Sequence, residues 1–133
     1  MADVPYTLMI TLDEEPAAAE ARVREALADE GFGILSEIDV QAALRSKLGE
    51  DIGAYKILGA CNPPLASRAI AADPDVGALL PCNVVVRANP SGGSMISAAD
   101  PLAMLSVAHD VPDEVATEAR ERLLRALETL SAR

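Results

Sequence analysis

The chain has 133 residues, with 11 lysines and arginines against 21 aspartates and glutamates and a formal net charge of -10. Apolar residues make up 50% and charged ones 24%, which suits a single globular domain over residues 1–133 and excludes a disordered chain. The acidic balance opposes nucleic acid, whose phosphates need basic partners, and opposes an anionic membrane surface.

Period-two alternation of Tyr6, Leu8, Ile10 and Leu12 predicts a first strand. Pro16 suits the first turn of a helix, with Glu14 and Glu15 at its positive end. Ala19, Val23, Ala26 and Leu27 form its apolar stripe, Glu20 and Arg24 pair across one turn, and Gly31 ends it. Phe32, Ile34, Ser36 and Ile38 alternate as a second strand. Asp39 caps a second helix with Val40, Ala43, Leu44 and Leu48 inward, stopped by Gly49. Residues 55–60 read as a third strand, and Asn62-Pro63-Pro64 as a helix start with Leu65, Ala66, Ala69 and Ile70 inward.

Asp73-Pro74 breaks that helix, and residues 75–80 allow one more helical turn. Residues 83–87 and 94–98 form a hairpin around the turn cluster Asn89 to Gly93. Asp100-Pro101 opens a short helix through Leu105. In the last helix Val115, Ala119, Leu123, Ala126, Leu127 and Leu130 face inward, with Glu118–Arg122 and Glu121–Arg125 on the outer face. The order is β-α-β-α-β-α-β-β-α. Met9, Leu58 and Val85 suggest a second apolar sheet face that pairs with another subunit.

No window approaches the roughly 18 uncharged apolar residues of a membrane-spanning helix. Asp3 stands where a secretory leader would be basic, and two cysteines make no disulfide framework. A cytoplasmic protein with reduced thiols is expected.

Cys61 closes a strand just before a helix N-cap, a place that favours a thiolate and whose N–H groups suit an anion. Cys82 opens the next strand. If those strands are antiparallel neighbours, Cys61-Asn62 and Cys82-Asn83 converge on one corner. Lys56 and Arg87 would add an anion site there if both faced it. His109 beside Asp110 reads as a loop residue next to a cap rather than a base. No Cys-x-x-Cys or four-ligand set exists, so no metal and no other cofactor is expected, and Met9, Met95 and Met104 read as core filler. No nucleophile set stands out, so no catalytic residue is assigned and the reading leans away from an enzyme.

Residues 55–66, which contain Gly59-Ala60-Cys61-Asn62-Pro63-Pro64, and residues 79–86, which contain Leu79-Leu80-Pro81-Cys82-Asn83, resemble the signature of the domain-of-unknown-function family 302. Residues 31–40, 47–49 and 99–101 resemble it too, so the likeness covers essentially the whole chain. The resemblance implies an α+β domain: a curved, mainly antiparallel sheet of about five strands with helices on one face, in a TATA-binding-protein-like outline. It also implies a homodimer, and it brings no established reaction. Its most typical positions fall on Gly59, Cys61, Asn62, Pro63, Pro81, Cys82 and Asn83. The DNA-binding role of that outline does not carry over to a chain of charge -10.

Three functions follow. The first is a homodimeric module holding a small polar or anionic ligand at the Cys61-Asn62/Cys82-Asn83 corner. The second is a thiol or persulfide protein, or sulfur carrier, using Cys61 with Cys82 as partner. The third is an assembly partner without a ligand.

Overall fold

The alternating segments pair into one five-stranded antiparallel sheet in the computed structural model, which describes residues 5–108 and 110–132. His109 lies outside the described residues. The elements are β1 (Thr7–Leu12), α1 (Pro16–Asp29), β2 (Gly33–Asp39), α2 (Val40–Leu48), β3 (Tyr55–Cys61) and α3 (Pro63–Ala72). A 3-10 helix (Pro74–Leu79), β4 (Cys82–Ala88), β5 (Ser94–Ala99), α4 (Pro101–Leu105) and α5 (Asp113–Ser131) complete the chain. The strand order is β1-β5-β4-β3-β2, so α1 carries the chain from one edge of the sheet to the other.

The apolar stripe of α1 is buried as its spacing requires, at Ala19, Val23, Ala26 and Leu27. These side chains meet Leu8 and Leu12 of β1, Leu58, Val84, Val86 and Ile96 of the inner strands, and Leu123, Ala126 and Leu127 of α5. Burial of each large aliphatic side chain contributes about 1.5–3 kcal/mol, so this layer holds α1 and α5 on the sheet. A second cluster, with Leu65, Ala69, Val76, Leu105 and Val115, joins α3, the 3-10 helix and α4 to the start of α5.

Four expectations need correction. The alternation Phe32, Ile34, Ser36, Ile38 does not keep one face. A β-bulge between Ile34 and Ser36 leaves Leu35 unpaired, with Ile34 opposite Ala60 but Ser36 opposite Gly59. Ser36 and Ile38 therefore turn to the open face, and Ile38 is 51% exposed. Helix α2 buries no residue, and Leu48 is 64% exposed, because the helix contributes to neither hydrophobic cluster. Leu58 faces the helices and is fully buried, whereas Met9 and Val85 lie on the open face. Arg125 pairs with Glu30 at 3.0 Å instead of Glu121, since α5 runs beside the end of α1. Glu20–Arg24 and Glu118–Arg122 pair as expected, each at 2.9 Å.

Candidate functional site

Strands β3 and β4 are antiparallel neighbours with Ala60 opposite Cys82 and Gly59 opposite Asn83. Both Cys-Asn pairs therefore reach one end of the sheet, where β3 runs straight into α3. The four side chains then separate.

Asn62 caps α3. Its Oδ1 accepts from Leu65 N at 3.4 Å, and its Nδ2 donates to the Glu30 carbonyl at 3.4 Å. Arg122 donates to the same carbonyl at 3.3 Å. The Asn62 amide is thus spent on joining the start of α3 to the end of α1, and the residue is only 8% exposed. Asn83 alternates with Cys82 along β4 and is exposed on the open face.

The start of α3 offers no anion site. Pro63 and Pro64 carry no N–H. The next two N–H groups are engaged, Leu65 by the Asn62 side chain and Ala66 by the Asn62 carbonyl at 2.9 Å. Lys56 and Arg87 add nothing at this corner. Lys56 turns to the helix face and pairs with Glu20 at 2.9 Å and Glu37 at 3.7 Å. Arg87 lies opposite Tyr55 on the other face, at the far end of the sheet.

The corner does hold an apolar cavity of about 250 Å³. It lies at the seam of the two hydrophobic clusters, touching Phe32 and Ala60 of the first and Leu65, Ala69, Leu105 and Val115 of the second. Among its lining residues only Cys61, Asn62 and Cys82 have a side-chain heteroatom, and the Asn62 amide is engaged. Leu35 and Ile70 stand at its rim, 71% and 46% exposed. The bulge in β2 is what frees Leu35 from the ladder and lets it reach the cavity.

Both cysteines are free thiols. Burial pushes the Cys82 thiol up to about 11, and the neighbouring Cys61 sulfur adds to the rise. Cys82 is therefore protonated at neutral pH and a weak nucleophile. Cys61 follows the residue opposite Cys82, so by strand alternation the two side chains leave opposite faces of the sheet. No group of three or more potential metal ligands occurs among the described residues. No helix there is long and apolar enough to cross a membrane.

Gly59 explains why the corner closes. A Cβ there would overlap Ser36 Oγ and lie 2.8 Å from Pro81 Cγ, so only glycine admits both neighbours. Sequence reasoning missed Leu35, Leu65, Ala69 and Ile70 as cavity residues. The inward stripe of α3 was the one available signal.

Comparison with known proteins agrees with the architecture. A family model described as domain of unknown function DUF302 matches residues 8–130, which include both signature stretches. The fold is similar to the crystal structure of an uncharacterized conserved DUF302 protein from Bacillus stearothermophilus. The TM-score is 0.86 at 28% identity, over 96% of this chain and 99% of that one. No curated protein matches.

Proposed function

The chain belongs to the family of the domain of unknown function DUF302, and on this fold we propose a binding module whose ligand is small and apolar. The observation that carries this reading is the cavity of about 250 Å³ lined almost wholly by carbon and sulfur. An apolar cavity of about 150 Å³ holds benzene, so this one has room for a somewhat larger hydrocarbon skeleton. The polar or anionic ligand first expected at this corner is set aside. Its supposed donors are two prolines, engaged N–H groups, a capping amide and an asparagine on the opposite face.

Within this reading Cys82 belongs to the pocket, the Cys61 side chain leaves the other face of the sheet, Asn62 builds the pocket, and Asn83 stands outside it. The module is a homodimer through the open sheet face, in support of which Met9, Ile57, Val85 and Met95 share a face that α1 and α5 leave bare. Dilution followed by light scattering checks the dimer: a monomer at micromolar concentration contradicts it.

A second reading, a thiol or persulfide protein acting through Cys61, is favoured by one observation, that Cys61 lies near enough to Cys82 for its charge to raise the Cys82 thiol pKa. Native and denatured mass spectra of protein purified without reductant separate the two. An adduct lost on denaturation supports the apolar module, and added sulfur that survives denaturation supports the thiol protein. An unmodified, ligand-free chain that also rejects naphthalene leaves the assembly-partner role instead.

A further inference from the structure

The sheet has two free edges, and they are not alike. The β2 edge is broken by the bulge at Leu35 and carries Glu37 and Asp39, features that keep an edge from pairing. The β1 edge has neither: Thr7–Leu12 is 6 residues in regular register, with no charge and no proline. No described strand lies beyond it. Asp100 N donates to the Tyr6 carbonyl at 2.8 Å, one step before the Thr7–Ala99 pair. The antiparallel pattern then turns the backbone groups of Leu8, Ile10 and Leu12 to β5 and those of Thr7, Met9 and Thr11 outward.

A groove of about 400 Å³ runs between this edge and α5. Arg120, Leu124 and Glu128 stand one turn apart along its helical wall. Arg120 pairs with Asp100, beside the start of β1, at 3.2 Å. Further along α5, the Leu130 carbonyl accepts from Arg22, which pairs with Glu14 beyond the end of β1. Helix and strand thus run in the same direction, with a cation at one end of the groove, a carboxylate at the other and Leu124 midway. This order is self-complementary. A two-fold axis at Met9 sets Met9 and Leu124 against their own copies, Thr7 against Thr11 of a second copy, and Arg120 against Glu128 of that copy. Arg120 reaches Asp100 through Nε, which leaves the end of its guanidinium for a second carboxylate. Glu128 is exposed and makes no ion pair with a described residue.

We propose that the β1 edge is a docking surface for a second copy of this chain, which joins two five-stranded sheets through β1 into one continuous sheet. The N–H groups of Thr7, Met9 and Thr11 donate to the carbonyls of Thr11, Met9 and Thr7 of the second copy, and the reverse. A chain of charge -10 repels its own copies over most of its surface. An uncharged strand flanked by one cation and one carboxylate in palindromic order turns that repulsion into attraction. The contact is separate from the open-face dimer, since it uses the edge and leaves Ile57 and Val85 bare.

Amide hydrogen exchange of the full chain across a dilution series tests this, with light scattering on the same samples. The amides of Thr7, Met9 and Thr11 should exchange at least about tenfold more slowly in the associated protein than in the dilute monomer. Glu128→Arg sets two arginines at each end of the contact and should raise the concentration at which protection appears by at least about tenfold. Glu128→Gln should raise it less. Thr11→Pro removes an outward N–H, a change that an edge strand tolerates, and should abolish the protection of Thr7 and Met9. Should that variant fail to fold, the Glu128 variants decide. Fast exchange of the three amides at every concentration overturns the proposal, and any self-association then belongs to the open face. Protection that persists in a chain shown to be monomeric means that the chain covers its own edge, and overturns it too. An unchanged onset of protection in Glu128→Arg does the same.

Discussion

Gly59 and Pro81 approach so closely across the β3–β4 ladder that a Cβ on Gly59 would lie 2.8 Å from Pro81 Cγ. Ser36 crowds the same point from β2. Gly59→Ala should therefore destabilise the fold by about 1–3 kcal/mol through overpacking. Urea unfolding measures this, and Ser36→Gly should recover part of the loss. Full stability in Gly59→Ala would mean that the corner is looser than its geometry requires.

Asn62 and Asn83 occupy equivalent places in the two Cys-Asn pairs and should behave differently. Asn62→Ala removes a helix cap and the tie to the Glu30 carbonyl, a loss of about 1–3 kcal/mol. Asn83→Ala removes an exposed side chain and should change stability by no more than about 0.5 kcal/mol. Asn83→Ala, which lies outside the cavity, should keep its affinity for an apolar probe. Lost binding in Asn83→Ala would restore the polar corner as the site.

The raised Cys82 pKa makes stability depend on alkaline pH. In the unfolded chain the thiol ionises near 9.0, while in the folded chain it stays neutral until about 11. The folded form therefore keeps its proton where the unfolded form loses one, and rising pH favours unfolding. The loss runs from about pH 9 to about pH 11 and reaches at most about 3 kcal/mol. Urea midpoints across that range should fall in the unaltered protein and fall less in Cys82→Ala. A parallel fall in both would assign the slope to other groups.

Ala69 is buried in the cavity wall on α3. Ala69→Leu should fill part of the space, leaving stability unchanged or raised by up to about 2 kcal/mol. Calorimetry should show naphthalene binding to the unaltered protein and none to Ala69→Leu. Equal binding by both would place the ligand elsewhere.

Much of the fold was legible in residue order. The α1 stripe at Ala19, Val23, Ala26 and Leu27 is buried as spaced, and Asn62 caps α3 as its residue type suggests. The β2 bulge was not legible, because Phe32, Ile34, Ser36 and Ile38 keep a regular alternation that the backbone then breaks at Leu35. The face of Leu58 was hidden as well, since Ile57, Gly59 and Cys61 on one side are nearly as apolar as Leu58 and Ala60 on the other. One clue was present and unused: Pro63 and Pro64 have no N–H, which already disqualifies the α3 start as an anion cradle. The cavity could not be read at all, because its wall gathers β2, β3, α3, the 3-10 helix, α4 and α5 from across the chain.

The central claim is that the seam between the two hydrophobic clusters is a pocket for an apolar molecule. Intermolecular nuclear Overhauser effects from naphthalene to assigned methyl groups test it most directly. The account predicts contacts to Leu65, Ala69, Leu105 and Val115, all of which line the cavity. Contacts confined to Ile57 and Val85 on the open sheet face, or no contacts at saturating naphthalene, would contradict it.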